Sequence, residues 1–109
     1  MEPNLFPKSV ALKAETQIEY QDGSIVSKTI IKKEKGNVTL FAFDKGQGLS
    51  EHTAPFDALI SVIDGKAEVI IGGNLNIVET GQMILMPANI PHAVNAAEKF
   101  KMMLIMIKA

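Results

Sequence analysis

Gly46-Gln-Gly-Leu-Ser-Glu-His52-Thr-Ala54-Pro55-Phe-Asp57-Ala58-Leu-Ile60-Ser-Val62-Ile-Asp64-Gly65, followed by Gly81-Gln-Met-Ile-Leu-Met-Pro87-Ala-Asn89-Ile-Pro91-His92-Ala-Val-Asn95, is the part of the sequence that decides the fold, and it holds both histidines. Between these stretches lie short apolar runs and closely spaced turn signals. Ala58–Ile63 leads into Asp64-Gly65, a pair suited to the positive φ angles of a tight hairpin turn. Ala67–Ile71 returns, Gly72-Gly73-Asn74 turns again, and Leu75–Glu79 follows. The expectation is a double hairpin.

Outward from this unit the same rhythm continues. Asp22-Gly23, Lys35-Gly36-Asn37 and Gly46-Gln47-Gly48 punctuate runs rich in Val, Ile, Leu, Thr and Phe, the pattern of an antiparallel sandwich or barrel. Helix has little support outside Ser9–Thr16, where one or two turns could form. The Lys32-Lys33-Glu34-Lys35 run beside Gly36-Asn37 reads as a solvated hairpin tip, not a phosphate-binding patch. Residues 1–15, with Pro3 and Pro7, read as an extended arm, and nothing divides the 109 residues into two domains.

Composition narrows the function classes. Lys and Arg total 11 against 12 Asp and Glu, a net charge of −1, so no bulk basic field attracts nucleic acid or an anionic membrane. The content of 47% hydrophobic and 21% charged residues fits a folded chain and not a disordered one. With no cysteine, disulfide frameworks, thiolate zinc sites, iron–sulfur clusters and cysteine nucleophiles are excluded. The start, Met-Glu-Pro-Asn-Leu-Phe-Pro-Lys, lacks an export pattern. The uncharged run from Thr80 to Ala97 carries too many prolines and polar groups for a membrane helix, so the expected setting is cytoplasmic.

Phe100–Ile107 alternates Phe100, Met102, Leu104 and Met106 on one face with Lys101, Met103, Ile105 and Ile107 on the other. A half-exposed strand should alternate apolar with polar. This one is apolar on both faces after Lys101, so each side requires a cover, and a second subunit is one candidate. A homodimer with this C-terminal strand near its interface is expected.

The two histidine-bearing stretches resemble the cupin superfamily, specifically its small single-domain members. Gly46, His52 and Gly65 fall on the first glycine, first histidine and closing glycine of the first family motif, within 46–65. Gly81, Pro87 and His92 match the second, within 81–95, with Asn89 in place of its inner glycine; Asn also tolerates a left-handed backbone. The resemblance implies an all-β fold, a single cupin domain over residues 1–109 rolled into a jelly-roll barrel.

A typical metallocupin holds its ion through three histidines and one glutamate. Carried over, the first and last histidines are His52 and His92, but Ala54 and Ala58 occupy the second-histidine and glutamate positions. Strand alternation points both imidazoles into the barrel, with Ala54, Ala58, Ile60 and Val62 as apolar lining and a small-molecule ligand as the expected guest. A divalent transition metal (Fe, Mn, Ni, Cu or Zn) could sit on His52 and His92, or none at all. Asp57 would complete a two-histidine, one-carboxylate set only if a bulge turned it inward, since its neighbour Ala58 fills the inward slot. Five of six methionines follow residue 82; core and interface filling explains them more simply than a soft copper site.

Three roles are compatible with these residues: a binding protein, a metal-dependent enzyme (dioxygenase, isomerase or hydrolase) acting on a small organic acid or sugar derivative, or an effector sensor with a separate partner protein.

Overall fold

The computed structural model describes residues 6–108. Nine antiparallel strands form two facing sheets. They are β1 (Ile25–Lys33), β2 (Gly36–Phe43), β3 (Gly48–His52), β4 (Asp57–Asp64), β5 (Lys66–Ile71), β6 (Asn74–Glu79), β7 (Met83–Met86), β8 (His92–Asn95) and β9 (Phe100–Ile107). Sheet order is β1-β2-β9-β4-β7 in one and β3-β8-β5-β6 in the other. The helical expectation over Ser9–Thr16 reduces to one 3-10 turn, Ala14–Thr16. Of the arm expected over residues 1–15, residues 1–5 lie outside the described part, and residues 6–13 contain no regular element. No helix among the described residues is long and apolar enough to cross a membrane.

The Lys32–Lys35 run is a hairpin tip, with β1 ending at Lys33 and β2 starting at Gly36. The expected double hairpin needs correction. Gly72-Gly73 does join paired strands, β5 and β6. Asp64-Gly65 does not, because β4 pairs with β7 and β9 in one sheet while β5 pairs with β6 and β8 in the other. Asp-Gly supplies the positive φ that the local chemistry predicts (Gly65 φ 78°), but uses it to turn a corner between sheets. The corner is tight: a Cβ at Gly65 would lie 2.6 Å from the Lys99 carbonyl oxygen.

Alternation then sorts the side chains. Inward positions of the larger sheet include Phe43, Phe100, Met102, Val62, Ile60 and Ala58, and those of the smaller include Ala67, Val69, Val78 and Val94; all are buried in one core. Phe43 and Phe100 are register partners stacked at 4.6 Å, and they plug one end of the barrel. Full burial of each such ring stabilises the fold by about 2–3 kcal/mol before packing is counted.

β9 lies between β2 and β4, so it is central in its sheet. Its inner side faces the core. Its outer side receives two treatments. Near Lys101 and Met103 the chain covers itself, since Ile18 is buried with Leu40 and Ala42 and Tyr20 packs alongside. The Tyr20 hydroxyl donates to Asp64 Oδ2 at 2.6 Å, and the Lys99 and Lys101 ammonium groups lie 4.8 and 4.9 Å from the ring centre. Farther along, one cross-strand row runs Ile31, Val38, Ile105, Leu59, Leu85 through all five strands, wholly apolar on the outer face. Of this row Ile31 and Leu85 are exposed, as are nearby Met83 and Ile107.

A paired imidazole site at the barrel mouth

The end opposite the phenylalanine plug carries the histidines. β3 and β8 run side by side, and His52 is the register partner of His92. A bulge between Leu49 and His52 brings both Leu49 and His52 to the inner face, opposite Val94 and His92. His92 also pairs across β5 with Ile71. The imidazole centroids are 4.4 Å apart with the rings tilted 68°, an edge-on arrangement. His92 is 7% exposed, while His52 is open at the rim.

Two loops fix this geometry. In β3–β4, residues 53–56 lead to Asp57; in β7–β8, residues 87–91 lead to His92. The Asn89 N–H donates to the Ala54 carbonyl at 2.7 Å, and the Ala88 N–H donates to Asp57 Oδ1 at 2.8 Å. Asn89 adopts the left-handed backbone (φ 66°) expected of a residue standing in for glycine. Pro91 has no N–H to place, and its carbonyl accepts the Gly72 N–H at 2.8 Å.

The Ala58, Ile60 and Val62 side chains line the inner face of β4 and are buried within the core, and Ala54 sits half-buried in the loop between the histidine strand and β4. Asp57 alternates to the outer side of β4, where its carboxylate ties the second loop. The facial set of two imidazoles and one carboxylate is therefore not assembled. Among the described residues no three His, Asp or Glu side chains cluster as a metal site. The four-ligand set of a metallocupin does not fit this donor set, because alanine occupies two of its positions.

Sequence reasoning missed an open cleft. It measures about 650 Å³ and separates the free edges of β6 and β7, lined by Leu75, Asn76, Ile77, Gln82, Met83 and Ile84. Its lining carries no titratable side chain. Neither histidine lines it. The signal for the cleft was two consecutive strands, each bearing alternate exposed apolar residues.

Comparison with known proteins agrees with this architecture. The cupin domain family profile matches residues 39–108, and the chain belongs to the cupin family. No curated protein sequence matches it. A conserved protein of unknown function from Streptococcus pyogenes is 33% identical over 97% of this chain and 93% of its own, with a TM-score of 0.92. A cupin 2 conserved barrel domain protein from Leptotrichia buccalis is 46% identical, with a TM-score of 0.82; the match covers 87% of this chain but 46% of that one, so this chain spans under half its length. Salicylate 1,2-dioxygenase from Pseudoaminobacter salicylatoxidans shares the fold alone, at 14% identity over 85% of this chain and 27% of its own, with a TM-score of 0.71.

Proposed function

We propose that this cupin binds a small molecule at the barrel mouth, with His52 and His92 as its polar focus and Ala54 and Ala58 beside them as apolar wall. The observation that carries the reading is the 4.4 Å contact between two imidazoles on adjacent strands, without a third ligating side chain. A few convergent polar atoms beside apolar side chains are the usual make-up of a metabolite site.

The test is elemental analysis and native mass spectrometry of the purified protein. A retained organic molecule lost from the His52→Ala, His92→Ala double variant supports the reading. A stoichiometric transition metal whose removal abolishes turnover of a substrate would replace it with the metal-dependent enzyme.

We also propose that a second copy of this chain covers the exposed part of the apolar row Ile31, Val38, Ile105, Leu59, Leu85. The row carries no charge that would select a different partner, and a two-fold pairing sets the same stripe against itself. Sedimentation should give a dimer for the native protein and a monomer for Leu85→Lys; a native monomer rejects the pairing.

A further inference from the structure

The two imidazoles share a local device. The His52 Nδ1 lies 2.8 Å from the Ser50 carbonyl oxygen, and the His92 Nδ1 lies 3.2 Å from the Ile90 carbonyl oxygen, each two residues earlier in the chain. A carbonyl oxygen can only accept, so in both rings Nδ1 must carry the hydrogen. Each neutral ring therefore presents an unprotonated Nε2. Two such nitrogens cannot hydrogen-bond each other, since neither has a proton to give.

Neither Nε2 makes a hydrogen bond among the described residues. Yet no buried side-chain nitrogen or oxygen among them lacks a partner. The Nε2 of His92 therefore reaches accessible space although the residue is almost fully buried. The lone pair is the part of the ring that the mouth leaves open. The register partner of His92 on β5, Ile71, offers no side-chain donor.

We infer that the guest of this site supplies the hydrogen: a small molecule with an apolar body and an O–H or N–H donor, such as a phenol, enol or alcohol, whose hydrogen is taken by one Nε2 lone pair or shared between the two. This rests on the reading that the ligand sits at His52 and His92, and it specifies that ligand's class. A carboxylate brings only further lone pairs to two neutral acceptors and is disfavoured. A metal held as in a four-ligand cupin lacks half of its donors here.

The experiment uses the native full chain and nitrogen-detected NMR of the imidazoles at about pH 8. Without any ligand, both rings should show the Nδ1–H form. Titration with 4-methylphenol should move at least one Nε2 resonance, and 4-methylanisole, the same body with its hydroxyl capped, should bind about tenfold more weakly, the worth of one hydrogen bond. An Nε2–H form in either ring overturns the inference, as does an ether that matches the phenol, a phenol that moves neither ring, or tighter binding of 4-methylbenzoate or of Zn²⁺ alone. If the benzoate or zinc moves both rings, the site survives and only the donor class fails. If every probe acts elsewhere and leaves both rings unmoved, the site reading falls with it.

Discussion

The barrel has two unlike ends. One is shut by the Phe43–Phe100 stack, by Met102 and Val62 beneath it, and by the glycine corner at Gly65. The other is built from small side chains, two imidazoles and two proline-containing loops that hold each other through main-chain and carboxylate hydrogen bonds. The closed end uses large buried rings, whose removal leaves a cavity. The mouth uses short contacts that position atoms and bury little. Large buried rings and the paired imidazoles are thus separated along one axis, and on the proposed reading substitutions at the two ends should differ in kind as well as in size.

The widest gap should come from Phe100→Ala. The side chain is fully buried, stacked on Phe43, and has no route to solvent through which the core could relax. A loss of about 3–5 kcal/mol is expected in urea denaturation. His52→Ala, at the exposed rim, should change stability by no more than about 0.5 kcal/mol while removing one of the two proposed ligand contacts. Equal losses from both variants would erase the proposed division.

Gly65→Ala attacks the same end through the backbone. Alanine at φ 78° is strained, and its Cβ would meet the Lys99 carbonyl and the Phe100 side chain at once. A loss of about 2–3 kcal/mol is expected from the strain and the overlap together. A thermal midpoint close to the native value would show that the corner can open without cost.

That corner also marks where the sequence stopped being legible. Strand positions and the hairpin tip at Lys33–Gly36 were readable, because each depends on neighbours within a few residues, and the left-handed Asn89 was readable from the motif glycine whose place it takes. So was the adjacency of the histidines, through the resemblance of the two stretches to the cupin motifs. The role of Asp64-Gly65 was not. Its turn chemistry is the same for a hairpin and for a change of sheet, and the choice is made by β9 and β8, which occupy the pairing edges of β4 and β5. Nor did Ile18 and Tyr20 announce that they would cover Leu40 and Ala42; a lone apolar pair among polar residues has no period from which to argue.

Tyr20→Phe tests that cover with a smaller effect. Loss of the 2.6 Å hydrogen bond to Asp64 should cost about 1 kcal/mol near neutral pH. The native protein adds a pH signature. Burial first, then the Asp64 hydrogen bond and charge, push the Tyr20 phenol well above its ordinary value. The neutral form is the one the fold favours, so its contribution is complete below the unfolded value of about 10 and declines as pH rises beyond it. Denaturation curves should therefore separate the native protein from the Tyr20→Phe variant at neutral pH and converge in strong alkali; parallel curves across that range would remove the linkage.

The smallest effect belongs to the mouth, at Asn89. Its left-handed backbone costs a side-chain-bearing residue some energy that glycine would not incur. Asn89→Gly relieves this cost but gives the unfolded chain more freedom, and the two terms oppose each other with similar size. The net change should be roughly a few tenths of a kcal/mol in either direction, while Asn89→Ala, which keeps the strain and loses the asparagine's tolerance for it, should destabilise by about 1 kcal/mol. The glycine variant should also keep the main-chain N–H at this position on the Ala54 carbonyl, so the imidazole NMR signals should stay in place. Should they shift in the glycine variant, the loop's conformation depends on the asparagine side chain itself, and the mouth is held by more than its backbone.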